Sequence, residues 1–169
     1  MIFNKLIKNE NEVLNIVRDS LSSNQKLLLT YFNQHCFNIY YSNSDYKNLL
    51  DSSFTVFLDG FGVYAALKFL GYKNLKKFNA TDLHAKLFQH FSNCKTEIFL
   101  LGGNFTDKLI SLMTKEKKIT ISGYQNGYFK DEELNSIVER IMKISPDVLI
   151  IGAGVPKQEI IAARIAGST

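Results

Sequence analysis

The sequence predicts an α/β fold: a Rossmann-like, layered and mostly parallel sheet with helices on both faces and two halves flanking a crevice. Three observations predict it. Short apolar runs rich in Leu, Ile, Val and Phe alternate along the chain with segments of helical periodicity. The runs around Phe32, Leu58, Leu101 and Ile151 each give way to a turn carrying Asn, Asp or Gly. The intervening segments are long enough to be helical crossovers, the connection that parallel strands require.

Near the start, Val13, Ile16, Val17 and Leu21 recur at helical spacing and predict an amphipathic helix. Lys26 to Phe32 reads as the first buried strand, about 34–50 as a helix, and Phe54 to Leu58 as the second strand. A helix over about 63–70 ends at Gly71, a residue suited to a left-handed stop. Another begins after Thr81, whose hydroxyl can cap it, with Leu83, Leu87, Phe88 and Phe91 on one face. Glu97 to Leu101 is a strand closed by Gly102-Gly103, followed by a helix carrying Leu109, Ile110, Leu112 and Met113. A short strand, Ile119 to Ser122, stops before Gly123. Leu134, Ile137, Val138, Ile141 and Met142 mark a further helix, and Asp147 to Ile151 the last strand. Ile160 to Ala166 has helical character. One half centres on Asp59 and the other runs from Thr96 onward.

At 169 residues, 46% hydrophobic and 21% charged, the chain suits a single soluble globular domain with a sizeable core. Its net charge of +4 comes from scattered Lys and Arg rather than blocks, so nucleic acid is not an implied partner. The same balance is compatible with weak attraction to anionic phosphates or lipid headgroups. Cys36 and Cys94 have no metal or redox spacing and are expected as two buried, reduced thiols. No apolar run approaches the length of a membrane span, and the first residues lack a signal-peptide core. The expected location is therefore the cytoplasm, with contact to the membrane from outside.

The chemistry-bearing residues gather at the predicted carboxyl ends of the strands, the edge where open α/β sheets bind ligands. Asp59 ends a strand and precedes Gly60-Phe61-Gly62; it reads as a partly desolvated general base or as a cap of the next helix. Asn33 follows the first strand and reads as a sugar-binding amide or as a helix cap. Thr81 and Asp82 open a helix, with Lys77 upstream as a point charge able to meet a phosphate. Gly102 and Gly103 can offer backbone amides to a diphosphate or form an empty tight turn. Gly127 with Tyr128 and Phe129 reads as a wall for a flat base or as simple packing. Lys157, Gln158 and Glu159 follow Gly152-Ala153-Gly154-Val155-Pro156 at the same edge. The three histidines show no ligand pattern. There is no dinucleotide fingerprint, no P-loop and no Asp-x-Asp, which favours a metal-independent reaction without a cofactor.

In this order the motifs resemble the WecG/TagA/CpsF family of bacterial glycosyltransferases, over about Asn33 to Glu159. The carriers are Asp59-Gly60-Phe61-Gly62-Val63, Thr81-Asp82-Leu83, Phe99 to Gly103, Gly127-Tyr128-Phe129, Pro146-Asp147 and Gly154 to Glu159. The resemblance implies an inverting transferase acting at the cytoplasmic membrane face. It would move an N-acetylmannosamine-type sugar from UDP to a polyprenyl-diphosphate-linked N-acetylglucosamine, for teichoic acid, common antigen or capsule. It implies Asp59 as the base, Asn33 and Gln158 holding the sugars, and the glycine turns with Tyr128 at the nucleotide diphosphate. Three positions depart from the family: Lys77 stands for arginine, Ala80 for glycine and Tyr31 for threonine, so the sugar is open to difference. Family members usually continue past the Pro-Lys-Gln-Glu segment into an arginine-bearing appendage. The expectation is a core lacking it, weak or inactive alone and able to self-associate through the surface left uncovered. A different UDP-hexose donor and a non-catalytic UDP-binding core are the alternatives.

Overall fold

The computed structural model describes residues 2–73, 75 and 80–168. Among them, eight α-helices and five strands form an α/β fold of the Rossmann-like layered kind, with parallel sheets of two and three strands. The chain divides into two compact units, Met1–Ala85 with Val155–Ser168, and Lys86–Gly154.

The first unit opens with a 3₁₀ turn (Ile2–Asn4) and α1 (Glu10–Ser23). Asn9 caps α1 through the Glu12 N–H, and Glu10 and Glu12 place negative charge at its amino end. Strand β1 (Leu29–Phe32) pairs in parallel with β2 (Thr55–Leu58), Phe32 opposite Leu58. Ile7 adds an isolated parallel bridge to Phe57. Between the strands lie α2 (Gln34–Ser42) and α3 (Ser44–Ser53). The single helix expected over 34–50 is thus divided, because Asn43 leaves the helical conformation and its side chain accepts from the Tyr46 N–H. After β2 come α4 (Phe61–Phe69) and α5 (Ala80–Cys94), of which the residues from Lys86 on belong to the second unit, while α8 (Lys157–Gly167) belongs to the first. Gly71 takes the expected left-handed conformation (φ 84°) beyond α4. Helix α5 starts at Ala80, so Thr81 lies inside the first turn rather than capping it.

The core of this unit joins Ile2, Phe3 and Leu6 to Phe32, Tyr40, Tyr46, Leu50, Val56, Val63 and Leu67. Phe3 and Phe32 meet edge to face at 6.1 Å, and Phe32 and Tyr40 at 5.8 Å, the arrangement the ring quadrupole favours. Cys36 is buried in it as expected, whereas Cys94 is exposed near the end of α5, where the helix face turns to solvent.

In the second unit the strand order is β4 (Thr120–Gln125), β3 (Glu97–Gly102), β5 (Val148–Gly152), all parallel. Helices α6 (Asp107–Lys117) and α7 (Leu134–Ile144) make the crossovers. The central strand β3 is buried from Ile98 to Gly102, as a parallel strand flanked on both sides requires. Strand β4 runs past its expected end at Ser122. A register shift opposite Ile98 and Phe99 absorbs Ser122, and Gly123 makes room for the Phe99 ring.

Candidate active site

In the first unit the parallel pairing brings the ends of β1 and β2 side by side. The Asp59 N–H donates to the Phe32 carbonyl (3.1 Å), which sets Asp59 next to Asn33. Asn33 is the N-cap of α2, its Oδ1 accepting from the N–H groups of His35 (3.0 Å) and Cys36 (3.1 Å). The capping reading therefore holds for its oxygen and leaves the Nδ2 amide for other work. Gly60 lies beside this residue, and its φ of +81° is what calls for glycine there.

Asp59 is half-buried. It does not cap the helix that follows it, since the N-cap of α4 is Gly60 and no side chain caps the helix. Its Oδ1 instead accepts from the N–H of Ala80 (3.0 Å), the first residue of α5. A helix amino end favours a carboxylate. Thr81 and Asp82 are exposed in the same first turn. His84, one turn on, feels the Asp59 charge, but crowding by its surroundings outweighs that attraction and lowers its pKa although its surface is largely open. Lys77 lies outside the described residues.

Helix α8 brings the third element. Lys157 and Gln158 are half-buried in its first turn, and Glu159 is only 1% exposed. Glu159 Oε1 accepts from the Thr30 hydroxyl (2.7 Å) and from Gln158 Nε2 (2.9 Å). Its Oε2 has no hydrogen-bond partner among the described residues. The expected edge cluster thus resolves into two roles, since a side chain this deep holds its neighbours rather than reaching outward.

Tyr31 links these groups, and the motif reading did not number it among the site residues. Burial raises its pKa first, with the nearby Cys36, Glu159 and Asp59 adding to the rise and a hydrogen bond with Gln158 opposing it. A phenol that senses Asp59 and bonds Gln158 stands among the carboxylate and amide groups at the end of β1. The signal available was Thr30-Tyr31, two hydroxyls at the end of an otherwise apolar strand.

The second unit gathers Gly102, Gly103, Gly127 and Tyr128 at the carboxyl ends of β3 and β4. The Gly127 N–H donates to the Gly103 carbonyl (3.1 Å), and Asn126 Oδ1 accepts from the Phe105 N–H (2.7 Å). Gly102 (φ +130°) passes so near β5 that a Cβ would lie 2.3 Å from the Gly152 oxygen. Tyr128 is 88% exposed, available to a flat ligand and unused in packing. Beside this turn, a groove of about 450 Å³ runs along β4, lined by Gly123, Tyr124, Gln125, Asn126, Arg140 and Ile144. Arg140 donates to the Tyr124 carbonyl and lies over the Phe99 ring at 5.4 Å.

The described residues contain no cluster of three or more His, Cys, Asp or Glu able to hold a metal ion. None of their helices is long and apolar enough to cross a membrane.

Against family models, the one describing the glycosyl transferase WecG/TagA/CpsF family matches residues 2–169. The chain belongs to that family. It is a glycosyltransferase of cell-surface glycan synthesis, acting on a sugar donor and an acceptor. For a WecG/TagA/CpsF transferase the two sheet edges hold chemically suitable groups: a carboxylate, amides and a phenol in one unit, and close-packed glycine turns with an exposed ring in the other.

Proposed function

We propose that this transferase works by inversion, without a metal, moving an N-acetylmannosamine-type sugar from UDP to a polyprenyl-diphosphate-linked N-acetylglucosamine at the cytoplasmic membrane face. The observation that carries the reading is the Asp59 carboxylate, anchored through one oxygen to the Ala80 N–H and half-buried at the end of β2. An anchored carboxylate keeps its second oxygen in a fixed direction, which is what a general base requires.

In the reaction the acceptor hydroxyl gives its proton to Asp59 while its oxygen bonds to the anomeric carbon. The bond from that carbon to the UDP oxygen breaks on the opposite face, the electron pair leaving with UDP, through an oxocarbenium-like transition state. Asn33 Nδ2 and Gln158 hold sugar hydroxyls, and Lys157 and Lys77 supply positive charge. Thr81 and Asp82 line the start of α5, whose first N–H anchors Asp59. The Gly102-Gly103 turn offers backbone amides to the diphosphate, and Tyr128 stacks on the uracil. Glu159 serves through Gln158.

A different UDP-hexose is the second reading, and Tyr31 favours it. The family's usual threonine is smaller, so a phenol bonded to Gln158 reshapes the space beside the sugar. Offering a panel of UDP-sugars with a detergent-solubilised lipid-linked acceptor, and reading product mass with and without EDTA, tests both. Transfer from the N-acetylmannosamine donor that survives EDTA is expected. Transfer only from another hexose selects the second reading, and dependence on a divalent ion contradicts the mechanism.

A further inference from the structure

Helix α4 leaves the catalytic loop directly, Gly60 being its N-cap, and it divides its side chains unequally. Val63 and Leu67, one turn apart, are buried and hold the helix to the unit. Its exposed large apolar groups stand at its two ends: Phe61 (64% exposed) in the first turn, 6.3 Å from half-buried Tyr64, and Phe69 (92%) and Leu70 (68%) at the last. Large apolar groups this exposed at a helix end are a cost in water alone. Charge on the same stretch is one-sided. From Gly60 to Lys73 the sequence has Lys68 and Lys73 and no acidic residue. Lys68, one residue before Phe69, lies over the Tyr64 ring at 5.9 Å, so an ammonium group stands beside the exposed end of the helix.

Exposed Phe and Leu beside lysines match the boundary of an anionic bilayer, which takes apolar groups at its headgroup level and cations at its phosphates. We propose that the carboxyl end of α4, with Phe69 and Leu70 at its tip, is where this protein docks on an anionic phospholipid surface. Phe69 and Leu70 enter the headgroup boundary, and Lys68 and Lys73 meet the phosphates. The lysine excess selects lipid over a second copy of the chain, because two such faces brought together would set like charges against each other. The inference rests on the transferase reading only in its consequence: docking by the far end of α4 would hold the Asp59 end within one helix length of the bilayer, about 14 Å.

Co-sedimentation with vesicles of phosphatidylcholine, with or without phosphatidylglycerol, tests it without any transfer step. Binding that requires phosphatidylglycerol is expected. Lys68→Gln with Lys73→Gln lowers the partition constant about 25-fold, at roughly fivefold per lysine. Phe69→Ser with Leu70→Ser abolishes binding, while the charge-matched Lys115→Gln with Lys117→Gln on α6 leaves it unchanged. Circular dichroism confirms that every variant is folded. Three results would overturn the proposal: no binding by the unaltered protein, equal loss in the α6 control, or a drop in oligomeric state on changing Phe69 and Leu70, which would assign the face to a second copy. Vesicle binding without sugar transfer leaves the surface standing and counts against the transferase reading alone.

Discussion

Replacing Gly102 with alanine is the sharpest structural test of the second unit's ligand edge. The new methyl group would stand 2.3 Å from the Gly152 oxygen, 2.5 Å from its carbonyl carbon and 2.8 Å from its Cα. All three are backbone atoms of a paired strand, so no side chain can swing aside. Overpacking of this kind costs about 1–3 kcal/mol, and a side chain at φ +130° adds on the order of 1 kcal/mol. A total of about 2–4 kcal/mol lowers the thermal midpoint by roughly 4–16 °C in a chain of this size. Gly152→Ala is the control, because no atom lies within 4 Å of its added Cβ and its φ is not positive. Thermal denaturation of both variants, with UDP titrated by calorimetry, reads the difference. If the alanine at 102 is as stable as that at 152, the close approach of β3 and β5 is wrong.

Other outcomes follow from the first unit. Asn33→Ala should lose about 1 kcal/mol of stability with the α2 cap, whereas Asn33→Asp keeps the cap and lowers donor affinity by removing Nδ2; denaturation and calorimetry separate the two. Glu159→Leu leaves the Thr30 hydroxyl and Gln158 amide without their acceptor and should cost about 2 kcal/mol, while Glu159→Gln, which keeps a carbonyl there, costs less in the same melt. Burial, and then the hydrogen bond to Asp51, push Tyr40 from its usual value near 10 up to about 12. Its contribution is therefore complete below pH 10 and is lost as pH rises to 12, because the unfolded chain releases the proton first. The loss amounts to about 2–3 kcal/mol. Urea midpoints through that range should fall less steeply for Tyr40→Phe than for the unaltered protein.

Much of this architecture was legible because apolar runs and glycine turns alternate so regularly. The break at Asn43 was obscured because Ile39, Tyr40, Tyr46, Leu49 and Leu50 continue a helical spacing across it, although Asn43-Ser44-Asp45 is a cap signature. Gly123 misled for the opposite reason: glycine reads as a strand stop, yet here it admits the Phe99 ring within the strand. At the site, Asp59 could be found from its place after an apolar strand and before two glycines. Glu159 could not be separated from Lys157 and Gln158, since three adjacent polar residues give no sign of which one a helix turns inward. Tyr31 was visible as a hydroxyl at the end of an apolar strand and as a departure from the family; its tie to Gln158 depends on contacts between residues far apart in sequence.

The decisive measurement is single-turnover transfer by Asp59→Asn beside the unaltered protein, with UDP-sugar affinity determined in parallel. Asparagine keeps an oxygen for the Ala80 N–H, so the fold and donor binding should persist. The transfer rate should fall about 10²- to 10⁴-fold, the usual contribution of a general base. A rate within a fewfold of the original, at unchanged affinity, would show that the proton goes elsewhere and that residue 59 is not the base.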